Sequence, residues 1–130
     1  MSTDLRVTLP NRPGTLKTSV DSLTAAGVTV EGICGDLRPG DRWGYLHILV
    51  DDADKARSVL EGAGVEVSGE HQVEVVEVEG SETIADAVNR FSSDGRNLEV
   101  VYTTLDGRLA LGTEDMRQDR VGVKMTDARY

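Results

Sequence analysis

The segment Leu9-Pro10-Asn11-Arg12-Pro13-Gly14-Thr15-Leu16 combines residue types that suit a ligand-facing turn. Leu5, Val7 and Leu9 alternate into it as a strand does, and Leu16, Val20 and Leu23 leave it at helical spacing. Asn11 or a neighbour is placed to end the strand. Pro13 suits a first helical turn, where its missing N–H is not needed, and Gly14 lets backbone approach whatever lies above. Such a turn presents backbone N–H groups at the positive end of a helix, a place that favours a carboxylate or phosphate. The same residues also make an ordinary strand-to-helix connection, since Pro and Gly punctuate loops generally.

Other reactive side chains are scattered. His47 and His71 are isolated in sequence and show no paired metal-ligand spacing, so no metal site is expected. His47 falls on the strand face opposite Leu46, Ile48 and Val50, in company with Trp43, Tyr45 and Leu49, and no acid or nucleophile is spaced to make it catalytic. That face, if helices cover the other, reads as an association surface, which predicts a homo-oligomer through Trp43, Tyr45 and Leu49. Cys34, in an apolar segment, is expected to behave as a small buried hydrophobe. Glu74, Glu77 and Glu79 alternate with valines, the pattern of a half-solvated strand. Neither a Gly-rich phosphate loop nor a Ser-His-Asp or Cys-His set is present, so neither catalysis nor a cofactor is expected.

The chain has 130 residues, enough for one ordinary domain or two small interlocked ones. Its net charge of −9 and isoelectric point near 4.6 argue against a nucleic-acid partner, which requires a basic footprint. With Cys34 alone, no intrachain disulfide can form. Neither a signal-peptide pattern nor an apolar run of membrane-spanning length occurs, so a cytoplasmic protein without a membrane partner is expected.

The alternation at residues 4–9 predicts a strand, and residues 13–26 predict an amphipathic helix closed by Gly27. Val28, Val30 and Ile33 begin a second strand, a turn-rich hairpin loop follows from Gly35 to Asp41, and residues 42–50 form a third strand. Asp51 or Asp52 caps a second helix carrying Ala56, Val59, Leu60 and Ala63 inward, which Gly64 ends, and Val65 and Val67 start a short fourth strand. The order is β-α-β-β-α-β, with two helices on one face of an antiparallel sheet. Residues 73–79 read as a separate strand after Gly69-Glu70. Ser81 is placed to cap a helix with Ile84, Val88 and Phe91 inward, Gly95 ends it, and residues 98–104 form a strand. Asp106-Gly107 is a strong hairpin turn, with Leu109 and Leu111 in the strand beyond.

These elements repeat. A shift of 68 positions aligns Thr15, Val20, Leu23, Gly27 and Glu31 with Thr83, Val88, Phe91, Gly95 and Glu99. A shift of 63 aligns Gly44, Leu46, Ile48 and Asp52 with Gly107, Leu109, Leu111 and Asp115, the difference falling in the hairpin loop, where length changes are tolerated. The second copy is abbreviated: Glu114 to Asp119 offers about one and a half helical turns, while Val121, Val123 and Met125 alternate as a final strand.

With Asn11-Arg12-Pro13-Gly14-Thr15-Leu16, Ala26-Gly27-Val28-Thr29-Val30, this element order and the duplication, the chain resembles the ACT-domain family, small regulatory modules that bind amino acids. The resemblance covers nearly all of residues 4–113. It implies an α+β fold: a ferredoxin-like βαββαβ repeat in tandem, an antiparallel sheet with helices on one face, residues 1–70 as the first copy and 71–130 as the second, in one compact unit. Family members commonly join two copies side by side into an eight-stranded sheet and bind ligands at the seam. The family pattern places one asparagine in the loop before the Pro-Gly and another just after the glycine that closes the first helix. Asn11 holds the first place in copy one, and Asn97 holds the second in copy two, beside Leu98. Glu79-Gly80-Ser81-Glu82 stands where copy two would carry the loop motif.

The resemblance therefore implies one composite site, Asn11, Arg12, Pro13, Gly14 and Thr15 across the seam from Asn97 and Leu98. An asparagine amide both donates and accepts, as a zwitterion requires. The histidine that some family members carry before the loop is replaced here by Leu9 or Pro10. The implied function is to bind an amino acid or similar small ligand and report it to a partner. The alternative is a ligand-independent interaction module, or a regulatory subunit assembling with an enzyme or transcription regulator.

Overall fold

A computed structural model describes residues 2–115 of the chain. The elements run β1 (Thr3–Pro10), α1 (Thr15–Ala25), β2 (Val30–Asp36), β3 (Trp43–Val50), α2 (Ala53–Gly62), β4 (Glu66–Val76), α3 (Ser81–Ser93), β5 (Val100–Thr103) and β6 (Leu109–Asp115). The six strands form one antiparallel sheet in the order β2-β3-β1-β4-β6-β5. Among the described residues, no helix is long and apolar enough to cross a membrane.

Alternation in β1 sends Leu5, Val7 and Leu9 to one face, where they meet Leu46, Ile48 and Val50 of β3 and the inner sides of α1 and α2, through Leu23, Ala56 and Leu60. All of these are buried. Truncating one such leucine to alanine costs about 2–5 kcal/mol, so this layer dominates the stability of the first copy. The capping is as the sequence reading expects: Asp52 accepts the Lys55 backbone N–H at 3.1 Å, and Gly27, Gly64 and Gly95 each take positive φ where a helix turns back. The second copy repeats the layer with Ala87 and Phe91 of α3 packed on Leu109 and Leu111 of β6. Ion pairs from Arg57 of α2 to Glu70 and from Arg90 of α3 to Glu74 place the helices of both copies on the same side of β4.

The sequence reading predicts two strands around Gly69-Glu70. There is one. β4 pairs with β1 through residues 66–72 and with β6 through residues 71–76, so a single strand serves both copies, and the expected division at residues 70 and 71 falls inside it. Register shifts at Arg6/Val7 and at His71/Val73 absorb the irregularity without ending the strand, as a bulge does.

The opposite face of the sheet is not an open surface. The sheet curls until its two edge strands meet: Gly32 of β2 bridges Thr104 next to β5, and the Leu105 N–H donates to the Glu31 carbonyl at 2.9 Å. Inside the curl, Leu49, Val73, Val100, Tyr102 and Ala110 form a second core. This corrects the reading of Trp43, Tyr45 and Leu49 as one association surface. Leu49 is fully buried in its own chain, Tyr45 is half-buried beneath the Arg6 guanidinium, and Trp43 alone of the three is exposed.

Three smaller expectations change as well. Cys34 is exposed, because closure at the seam covers Gly32 and not the outer end of β2. Pro13 lies in the turn before α1, which begins at Thr15. Ser81 is the first residue of α3 and does not cap it; instead the Thr83 hydroxyl accepts the Glu79 and Gly80 backbone N–H groups at 3.0 and 3.1 Å. Glu114 and Asp115, expected to start a helix, continue β6, and the remainder of the expected helix and final strand lies outside the described residues.

The closure depends on a missing side chain. A Cβ at Gly32 would stand 3.1 Å from the Tyr102 Cε1 and 3.5 Å from the Thr104 Cα. Gly32→Val is therefore expected to destabilise the protein by about 1–3 kcal/mol, as overpacking does, read as a lower midpoint in urea unfolding.

Candidate functional site

The turn after β1 is built as its residue types require. Gly14 takes φ 94°, a left-handed conformation suited to glycine, and no side chain caps α1. The Thr15 hydroxyl is shared between the Pro10 and Arg12 carbonyls at 2.7 and 3.0 Å, while Arg12 and Pro13 are exposed. Asn11 has a duty that sequence alone does not disclose. Its side-chain amide donates to the Arg38 and Asp41 carbonyls at 2.7 and 2.9 Å, and its backbone N–H donates to the Arg42 carbonyl. Both amide protons therefore hold the β2–β3 loop. In the second copy, Asn97 is exposed between α3 and β5, and Leu98 packs partly against the Phe91 cluster.

The described cavity near this region lies farther along α1. It is a cleft of about 370 Å³ between α1 and β2, bordered by Ser19, Val20, Thr24 and Ile33, with Leu105 contributed by the second copy. None of the seven residues named from the sequence (Asn11, Arg12, Pro13, Gly14, Thr15, Asn97, Leu98) lines it. Its walls are mostly apolar, and Val20, Ile33 and Leu105 show much of their surface to solvent.

A second constellation sits within the curl, and the sequence reading passes over it. Asp4, on the inward face of β1, is completely buried. Its Oδ2 lies 2.9 Å from the His47 Nδ1 of β3 and 3.2 Å from the His71 Nδ1 of β4, and its Oδ1 accepts the Tyr102 hydroxyl at 2.6 Å. The other nitrogen of His71, Nε2, is 3.4 Å from the Glu99 Oε1. Burial works to raise the pKa of Asp4, but the hydrogen bonds from His47, His71 and Tyr102 outweigh it and hold the carboxyl below the usual carboxylate range. Burial together with the Asp4 charge pushes the Tyr102 phenol well above its ordinary value, so it stays a donor. The histidines look isolated in sequence because their meeting point is made across adjacent strands. Asp4 pairs directly with His71 across β1–β4, and His47 stands two residues along β3 from Leu49, the direct partner of Asp4, on the same face. The one local signal was a charged residue opening an alternating apolar strand.

These positions separate structural from ligand-facing roles. Asn11→Ala is expected to cost about 1 kcal/mol, the net worth of its hydrogen bonds, and to raise hydrogen–deuterium exchange in residues 38–42. Asn97→Ala, on an exposed residue, should leave the unfolding midpoint within about 0.5 kcal/mol of wild type.

No protein-family model matches the chain, and no curated protein matches it in sequence. Solved structures do match in fold. A protein from Bacteroides thetaiotaomicron superposes with a TM-score of 0.69 at 17% identity, covering 98% of this chain and 88% of that one. The ligand-free regulatory subunit of aspartate kinase from Thermus thermophilus gives 0.64 at 22% identity, covering 86% and 82%. The corresponding subunit from Thermus flavus gives 0.60 at 21% identity over the same shares. With its βαββαβ unit and with α3, β5 and β6 added on the shared strand β4, the described part of the chain has the ferredoxin-like, ACT-type α+β fold.

Proposed function

We propose that the chain is a regulatory module that binds an amino acid at the junction of its two copies and transmits occupancy to a second protein or a second copy of itself. The observation that carries this reading is the cleft between α1 and β2, bordered by Leu105 of the second copy. A cleft of about 370 Å³ falls within the range of small-molecule pockets, and its apolar walls suit an aliphatic side chain. The uncapped start of α1 at Thr15, four residues before Ser19 at the cleft's border, would supply backbone N–H groups for the ligand's carboxylate. In this reading the turn from Asn11 to Thr15, with Asn97 and Leu98 of the second copy, receives the part of the ligand that extends beyond the cleft, whose own walls include none of them. The fold shared with regulatory subunits of aspartate kinase supports a role in regulation over one in catalysis. An enzyme or a transcription regulator is the kind of partner that would receive the signal.

A thermal-shift screen over the twenty amino acids tests the reading. A ligand held only by the folded state stabilises it by about 2.7 kcal/mol at a hundredfold excess over Kd, so aliphatic amino acids should raise the melting temperature by several degrees. Val20→Trp, which fills the cleft, should remove that shift. Asn97→Ala should remove it too, and so should Asn11→Ala, which frees the β2–β3 loop that shapes the turn; if only one does, the two copies do not share the site. A flat response to all twenty would reject ligand binding. It would favour a ligand-independent assembly module, which the exposed Leu105 at 72% and Ile33 at 40% would serve as a contact patch.

A further inference from the structure

We propose that Asp4, His47 and His71 form an internal site for one divalent transition-metal ion, with zinc best suited to the donor set. Each of the three offers one ligand atom, and these atoms lie within 4.8 Å of one another. The two separations from Oδ2, 2.9 and 3.2 Å, approach the spacing of about 3.3 Å between donors that surround a tetrahedral zinc at about 2.0–2.1 Å. Two imidazoles and one carboxylate are ligands that suit zinc and its neighbours in the transition series, and not magnesium or calcium, which take oxygen.

The surroundings are arranged as a metal site's outer shell is. A ligating histidine ordinarily donates its other ring N–H to a carboxylate or carbonyl, which orients the ring and sets the tautomer. His71 Nε2 lies 3.4 Å from the Glu99 Oε1, on the side such a partner would occupy. Tyr102 holds Asp4 Oδ1 at 2.6 Å, leaving Oδ2 to point between the two histidines. The His71 side chain is only 5% exposed, so both of its ring nitrogens meet protein groups and not bulk water. With an ion at Nδ1, Nε2 would keep its N–H on the side where Glu99 lies. The His47 side chain is 21% exposed, which gives the ion a way in and leaves a coordination position open to solvent. The ion would clamp β3, β1 and β4, and through Tyr102 it would reach β5 on the far side of the curl.

Metal uptake by the whole chain decides the matter. After chelator treatment and desalting, the chain is titrated with zinc and separately with cobalt(II), whose visible spectrum reports coordination. One equivalent of zinc should be retained through a second desalting step, with a rise in melting temperature. His47→Ala, at the most exposed of the three ligands, should abolish retention and the cobalt band. Tyr102→Phe keeps all three ligands and should weaken affinity by about 10- to 100-fold, the usual effect of losing an outer-shell partner. Retention of zinc below one-tenth of an equivalent by the folded wild-type chain overturns the proposal. So does equal retention by His47→Ala, which would place the ion elsewhere. Should His47→Ala fail to fold, X-ray absorption of the zinc-loaded wild type decides, two imidazole ligands supporting the site and none overturning it.

Discussion

β4 is bonded on both edges, to β1 of the first copy and to β6 of the second. The rest of the structure depends on that double pairing. Because one strand belongs to both repeats, the two sheets cannot turn independently, and strand twist carries the far edges around toward each other. The seam where Gly32 meets Thr104 follows from the same constraint. A tandem repeat thereby becomes one curled sheet with an outside and an inside, helices outside and a small, partly polar core within.

That inner core differs in chemistry from the outer layer. The outer layer is built of leucine, valine and isoleucine, whose burial is favourable wherever shapes fit. The inner one places a carboxylate at its centre, and burying a charge is unfavourable unless partners replace the lost water. Asp4 has three: two imidazoles and a phenol, arriving from three other strands. Replacing such a group with an apolar side chain is often neutral or favourable for stability alone. Its presence therefore points toward a task for the cluster beyond holding the sheet closed.

The turn from Pro10 to Thr15 stands differently once its bonds are known. Its glycine and proline shape the chain, and its asparagine ties the neighbouring hairpin loop, so much of the motif is accounted for by architecture. Its exposed backbone and the uncapped helix behind it are what remain for a ligand. The cleft beside α1 could not be read from any motif, since its walls come from helix, strand and a loop of the other copy, each apolar for its own local reason.

Local order was legible in the sequence because it rests on local physics. Alternation in residues 4–9, the helical period from Leu16 to Leu23, the Asp52 cap and the glycines at 27, 64 and 95 all reflect backbone preferences within a few residues. The duplication was legible because those preferences recur in register. What only the tertiary structure decided was which strand edges meet. Pairing of β1 with β4, fusion of two expected strands into one, and contact between β2 and β5 all join residues far apart in the chain. Hydrogen bonding between strand edges is nearly independent of side-chain identity, so no spacing in the sequence announces a partner. For that reason His47 and His71 read as isolated residues, while the folded chain brings both to the same oxygen of Asp4.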